Sequence, residues 1–295
     1  MAQSAIDVMS AALSQVGNPS SLHTHGRAAR KSVEDAREKL ARAIDCLPSE
    51  IIFTGSGTES DNAAIKGLFW KSNKKVIVTS AIEHPAVLEA ALWLVEHEGA
   101  EHITIPVLKN GVIDLQFLQQ LVDKRGIEIA LISVMHANNE TGVIQPLGDV
   151  VRIAGDIPVH TDAIQSFTKA PFSFKELGLH AATMSGHKVG GPLGIGILVL
   201  RRAYEIPALL HGGLQPARRR GVFREHHHSA RLAIKAEDEV HLFEAGVFAH
   251  PSGVFGDRAT GAASDLERRL DPARRGFHRP ARRPQLSAQG QRALL

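Results

Sequence analysis

The chain of 295 residues is 43% hydrophobic, enough to fill the core of one large or two modest domains. Its formal net charge is +3, and the basic excess lies beyond Gly213: 11 Lys and 8 Arg occur up to that residue, 1 Lys and 14 Arg after it. A single cysteine excludes an intrachain disulfide framework, and the longest apolar run, Ile195 to Leu200 with its flanks, is too short to span a bilayer. Met1 to Ser14 lacks the basic start and apolar centre of a signal peptide, so the expected location is the cytoplasm, with no membrane partner.

In chain order, Ala5 to Leu13 reads as a helix. Ser32 to Ile44 reads as an amphipathic one, with Val33, Ala36, Leu40 and Ile44 on one stripe. Cys46 comes soon after and is expected to be a small packing residue or an inert thiol. Strands are expected at Ile51–Phe53, Val76–Thr79, His102–Pro106, Ile129–Val134, Pro158–His160 and Ile195–Leu200, and helices at Ala63–Trp70, Pro85–His97 and Leu115–Lys124. Buried strands alternating with helices predict an α/β fold, a mostly parallel sheet flanked by helices that takes ligands at the carboxyl ends of its strands. His84, Asn139 and Asp162 each lie just after an expected strand. Residues 1–213 are read as this one large domain.

Beyond Gly213 the composition swings abruptly towards Arg, Pro, Ala and His. A shifted reading frame in GC-rich DNA gives such a swing, so residues 214–295 are read as a tail and not as a native domain. Glu237 to Ala245 has some helical pattern, but Pro272, Pro280 and Pro284 interrupt any helix in the later part of the tail. The arginines at 274, 275, 279, 282 and 283 have little but Phe277 beside them to stack on bases, so nucleic acid is not the expected partner. His226, His227 and His228 are adjacent and share no common face, so no metal site is expected.

Chemistry concentrates in the first part. Lys188 sits in Ser185-Gly186-His187-Lys188-Val189-Gly190-Gly191, shortly after His160-Thr161-Asp162-Ala163-Ile164-Gln165. A lysine amine and an upstream carboxylate are the two groups a pyridoxal phosphate enzyme needs most: one condenses with the cofactor aldehyde, the other keeps the pyridine nitrogen protonated. Thr54-Gly55-Ser56-Gly57-Thr58 stands between an expected strand and helix, the geometry that aims backbone N–H groups and a positive dipole end at a phosphate. The plainer alternative there is an ordinary helix start capped by Ser or Thr. His84, in Glu83-His84-Pro85, could stack on a ring and move protons near neutrality, or simply satisfy a turn. Asn138 and Asn139 end another strand and could bond a ring hydroxyl, or only make a turn.

These segments occur in a recognisable order. Asn18-Pro19-Ser20-Ser21-Leu22-His23, the Thr58 segment, Glu83-His84-Pro85, His136 to Gly142, the Asp162 segment, Ser185 to Gly194 and His211-Gly212-Gly213 resemble the NifS-like cysteine desulfurases of the class V aminotransferase family. The resemblance covers roughly Ala5 to Gly213 and implies the large domain of the fold-type I architecture, with pyridoxal 5'-phosphate as cofactor. It implies that Lys188 is the Schiff-base lysine, Asp162 the partner of the pyridinium nitrogen, and His84 the stacking residue, these three being catalytic. It further implies that Gln165 bonds the ring oxygen, that Asn139 lies near that oxygen and the substrate, and that Gly57, Thr58, Ser185 and His187 hold the phosphate.

The family converts L-cysteine to L-alanine, leaves the sulfur as an enzyme persulfide, and supplies a sulfur-acceptor or scaffold protein for iron–sulfur clusters, as a homodimer. This chain departs from that pattern in three places. Its one cysteine, Cys46, lies upstream of Lys188, whereas the family's nucleophilic cysteine lies far downstream. The family's N-terminal strand is absent, and the threonine that reaches the neighbouring subunit's phosphate aligns with Phe223. The chain thus reads as truncated at both ends of the family pattern, with the small C-terminal domain missing or scrambled. A fragment that is non-functional or only binds cofactor, and a related lyase or aminotransferase that needs no enzyme thiol, are the alternatives.

Overall fold

A computed structural model describes residues 1–15, 17–207 and 209. The His211-Gly212-Gly213 segment and every expectation for residues 214–295 fall outside the described residues. Seven strands form one sheet: β1 (Ile51–Thr54), β2 (Val76–Ser80), β3 (Glu101–Ile105), β4 (Ile129–Ser133), β5 (Val159–Asp162), β6 (Ala181–Ser185) and β7 (Gly196–Leu200). Their spatial order is β1-β7-β6-β5-β4-β2-β3. Neighbours from β6 through β3 run parallel, while β7 is antiparallel to both β6 and β1. The sheet is mixed but mostly parallel, as expected for an α/β chain.

Among the described residues there are six helices: α1 (Gln3–Leu13), α2 (Thr24–Ala43), α3 (Gly57–Lys71), α4 (Pro85–Glu98), α5 (Leu115–Arg125) and α6 (Leu147–Ala154). All the strands but the edge strand β3 are buried on both faces, and their alternating side chains feed two cores. Val76, Val78 and Ile132 pack with Leu40, Leu118 and Val150 on one side. Ile77, Leu131 and Leu198 pack with Ile65, Leu68 and Leu94 on the other. The second face carries α3 and α4, and it is the face on which the polar groups of the site stand.

Differences from the sequence reading have physical reasons. The sequence gives no sign of a strand at β6, because Ala181-Ala182-Thr183-Met184-Ser185 lacks the branched apolar run that marks a buried strand. Small residues there let α3 lie close over the sheet centre, where bulky side chains would hold it off. Helix α6 is eight residues long and begins after Pro146, too short for its periodicity to stand out. Asp162 is the last residue of β5, not a residue just after a strand.

Cys46 packs half-buried against the first core. Burial, with Glu50 and Asp45 nearby, pushes its thiol up to about 12. The expected result is that Cys46 of the native chain at pH 8 alkylates on the order of a thousandfold more slowly than an ordinary thiol, because reactivity tracks the thiolate fraction. Denaturant should restore the ordinary rate. Prompt labelling of the native chain would show a reactive thiol instead.

Candidate active site

Strands β1, β2, β4, β5 and β6 all point the same way, since two antiparallel steps relate β1 to β6. Their carboxyl ends therefore share one edge, and each is followed by one of the segments singled out in the sequence. That edge is the candidate site.

After β1, Ser56 caps α3: its Oγ accepts from Glu59 N at 3.0 Å, while Glu59 Oε2 accepts from Gly55 N at 2.8 Å. The plainer reading of this turn, a Ser-capped helix, is therefore the one the hydrogen bonds show. A capped helix still presents the N–H groups of its first residues, here Gly57 and Thr58, which have no acceptor one turn back. Gly57 is buried, and a Cβ there would collide with Ile164 Cδ1 and approach Ser185 Cβ at 3.3 Å. This turn thus lies directly against the residue two beyond Asp162 and against the end of β6. Thr58 is exposed.

After β2, His84 caps α4, with Nδ1 accepting from Ala86 N at 3.1 Å. That bond places the ring proton on Nε2 when the imidazole is neutral. His84 is exposed, and its charge opposes the upward push that burial gives the Asp162 carboxyl. Asp162 is 4% exposed; Oδ1 accepts from Ile164 N at 2.8 Å, and Oδ2 has no hydrogen-bond partner among the described residues. An acceptor left open at the mouth of a buried site suits a protonated ring nitrogen.

After β6, Ser185 Oγ bonds His187 Nδ1 at 2.7 Å, and Lys188 stands exposed in the 3-10 turn Gly186–Val189. Burial and the Lys188 charge lower the pKa of His187. Gln165 is half-buried and Asn139 is exposed. The loop after β4 is held by the neighbouring residue instead: Asn138 Nδ2 donates to Ile82 O at 3.1 Å, and Asn138 Oδ1 accepts from Glu140 N and Thr141 N. This ties the Asn139 turn to the His84 segment. Contacts therefore join Gly57, Ser185 and the Asp162 segment and pair Ser185 with His187, while His84 acts on Asp162 through its charge. No direct contact brings Gln165 or Asn139 to them.

Three residues given no role in the sequence stand behind the site: Asp61 on α3, Glu83 beside His84, and His160 two residues before Asp162. All are buried. The available signal was position, because polar residues fall where the helical and strand periods call for inward-facing side chains.

A pyridoxal phosphate group suits this donor set, with a helix N-terminus and Ser185 for a phosphate, an open carboxylate for a ring nitrogen, and a free amine for an aldehyde. The class is defined by comparison as well. The sequence model of the class V aminotransferases (Aminotransferase class-V) matches residues 1–246. The chain belongs to that family. It is 44% identical to an IscS-like cysteine desulfurase of Mycobacterium tuberculosis over 222 residues, 73% of this chain and 56% of the relative. It is 37% identical to the cysteine desulfurase NifS of Azotobacter vinelandii over 234 residues, 78% and 57% of the two chains. Among solved structures it resembles a NifS-like protein, with TM-score 0.74 and 35% identity over 83% of this chain and 67% of the other. It also resembles SspA in complex with cysteine, with TM-score 0.73 and 31% identity over 91% and 74% of the two chains. The chain spans about half the length of the curated relatives it matches. Among the described residues, no helix is long and apolar enough to cross a membrane.

Proposed function

We propose that residues 1–213 are the cofactor-binding large domain of a cysteine desulfurase-type enzyme, which binds pyridoxal 5'-phosphate and takes L-cysteine as its amino-acid substrate. The observation that carries this reading is the packing of Gly57 against Ile164 and Ser185, which gathers the phosphate turn, the Asp162 segment and the lysine loop at one sheet edge. The relatives' names and the neighbour solved with cysteine support the substrate. When bound, the cofactor supplies an aldehyde for amine condensation and an electron-withdrawing ring.

The chain's own residues divide the remaining work. Gly57 and Thr58 N–H groups, with Ser185 Oγ and His187, would hold the phosphate. Asp162 Oδ2 would accept from the ring nitrogen and keep its proton in place. His84 would lie over the ring with its Nδ1 tied back to Ala86, leaving Nε2 towards the substrate. Gln165 and Asn139 would bond the ring oxygen. Lys188 would offer its amine to the cofactor aldehyde and would take and return the proton at the substrate Cα.

Asp162→Asn is expected to leave the visible absorption of the cofactor-loaded full chain while slowing deuterium exchange at the Cα of L-alanine by about 10²–10⁴-fold. The exchange needs no enzyme thiol, so Cys46 does not enter it. Unchanged exchange in Asp162→Asn would remove that residue from its role.

The burial of Cys46 favours a second reading for the chain as it stands, a domain that binds cofactor and moves protons without delivering sulfur, like a related lyase or aminotransferase. Sulfide release from L-cysteine by this chain is then at background. A homodimer and a sulfur-acceptor or scaffold protein belong to the desulfurase reading, with residues 214–295 as a tail outside the native domain. One cysteine, kept as a thiol, fits the reducing cytoplasm.

A further inference from the structure

Behind Asp162 lie two more buried carboxyls. Asp61 is wholly buried on α3; its Oδ1 accepts from Thr183 Oγ1 at 2.5 Å, and its Oδ2 has no hydrogen-bond partner. Thr183 is the register partner of Asp162 across β5 and β6, so Asp61 reaches the sheet beside Asp162. Glu83 is buried at the start of α4, where Oε1 accepts from Ser80 Oγ at 2.5 Å and Met135 N at 2.7 Å, while Oε2 is unpartnered. The next amide, His136 N, donates to Asp162 O at 2.9 Å, which brings Glu83 to the same point from the other side.

The groups facing Asp61 are Asp162 and His160 from β5 and Glu83 from the α4 start. Among the described residues, no lysine or arginine is paired with Asp61 or Glu83. The imidazole of His160 is fully buried with Nε2 unpartnered, 3.7 Å from Asp61 Oδ1, too long for a hydrogen bond. His160 Nδ1 bonds Ser133 Oγ at 2.9 Å, and burial drives its pKa down to about 3, so it is a neutral ring and offers no compensating charge.

We propose that Asp61 and Glu83 are un-ionised acids that position a single negative charge on Asp162, the one carboxyl of the three that opens towards the ring site. Three buried carboxylates with no lysine or arginine paired to Asp61 or Glu83 would cost far more than the protein can recover, so protons must be retained. Which carboxyl is charged is set by its neighbours. Burial raises Asp162 as well, but it alone of the three both receives a backbone N–H, from Ile164, and faces the charge of His84, and these two oppose the rise. Burial raises Asp61 well above the carboxylate range, and the facing charge of Asp162 adds to it, despite the Thr183 hydroxyl. Burial raises Glu83 to about 8, against the donors Ser80 and Met135. The inference rests on the reading of Asp162 as the cofactor's partner.

Both acids hold a proton more tightly folded than unfolded. Their contribution to stability is complete below the ordinary carboxylate range and is lost as pH rises, for Glu83 through about 8. The test uses the full chain without cofactor at pH 7. Calorimetric unfolding in buffers of different ionisation enthalpy counts the protons released, and infrared spectroscopy reads the C=O stretch of un-ionised carboxyls. Asp61→Asn is expected to release roughly one proton fewer than the parent and to lose one carboxyl component, whereas Asp162→Asn changes neither. Loss of a carboxyl component in Asp162→Asn, or none in Asp61→Asn, overturns the proposal.

If Asp61→Asn does not fold, Glu83→Gln decides. One un-ionised carboxyl band that remains there, and persists when Asp162→Asn is added, supports the proposal; no remaining band overturns it. None of these readouts involves the cofactor, so they succeed or fail separately from the visible absorption that tests the site.

Discussion

Lys188→Ala is expected to abolish the visible absorption that the full chain develops with pyridoxal phosphate, and to slow Cα proton exchange by about 10²–10⁴-fold. The residue stands exposed in the 3-10 turn after β6, where its amine is free to condense with an aldehyde. Backbone bonds hold that turn: Gly190 N and Gly191 N both donate to Gly186 O, the latter at 2.8 Å, and Gly186 N donates to Ile195 O at 3.1 Å. No other lysine lies in the segments that end at this edge; Lys169 and Lys175 come after β5 but stand beyond the Asp162 segment. The substitution removes an exposed side chain, so the stability of the cofactor-free chain should stay within about 0.5 kcal/mol of the parent. An unchanged absorption band would remove Lys188 from the tethering role. A lost band with a large fall in stability would instead show a structural part for the residue.

Gly196→Ala carries the largest expected cost in stability, about 3 kcal/mol. Gly196 pairs with Thr54 on one side and Ser185 on the other, between the phosphate turn and the lysine loop. A Cβ added there would overlap Ser56 O, Ser56 C and Thr54 Oγ1, and the first two are backbone that cannot swing aside. Relief of the clash moves the Ser56 cap, and with it the N–H groups of Gly57 and Thr58. Urea unfolding should show a lower midpoint with an unchanged slope, and phosphate affinity should fall with it. Gly148→Ala is the contrast, because that glycine lies within α6 with open space around its missing Cβ. It should gain about 0.5–1 kcal/mol through helix propensity alone. Equal effects at the two positions would refute the packing argument.

The parts of the fold legible in the sequence were those with one strong local signal. β2, β4 and β7 are runs of Val, Ile and Leu that only a buried strand explains, and α2 carries a clean apolar stripe. β6 stayed hidden because its role is to be small under α3, and smallness has no period. The site divides similarly. Gly57, His84, Asp162 and Lys188 were visible because glycines, histidines and lysines after strands are punctuation in an otherwise apolar text. Asp61 and His160 carry only the fainter signal of position, polar residues at inward-facing places of a helix and a strand, which does not say what they meet there. Only when α3 lies across β5 and β6 does Asp61 meet His160 and Thr183. Asn138 makes the same point at closer range: of two adjacent amides, loop geometry turned one inward to Ile82 and left the other exposed.

The strand order bears on how the chain matures during synthesis. β1 is made before the other described strands, yet its neighbour in the sheet is β7, with Ile51 opposite Val199. Until residue 200 has emerged, β1 and the turn after it have no sheet partner to fasten to. The earliest-made piece of the site is therefore the last to be locked in place. A nascent chain stalled before β7 would carry its phosphate turn on an unanchored strand, exposed to proteases and chaperones throughout elongation.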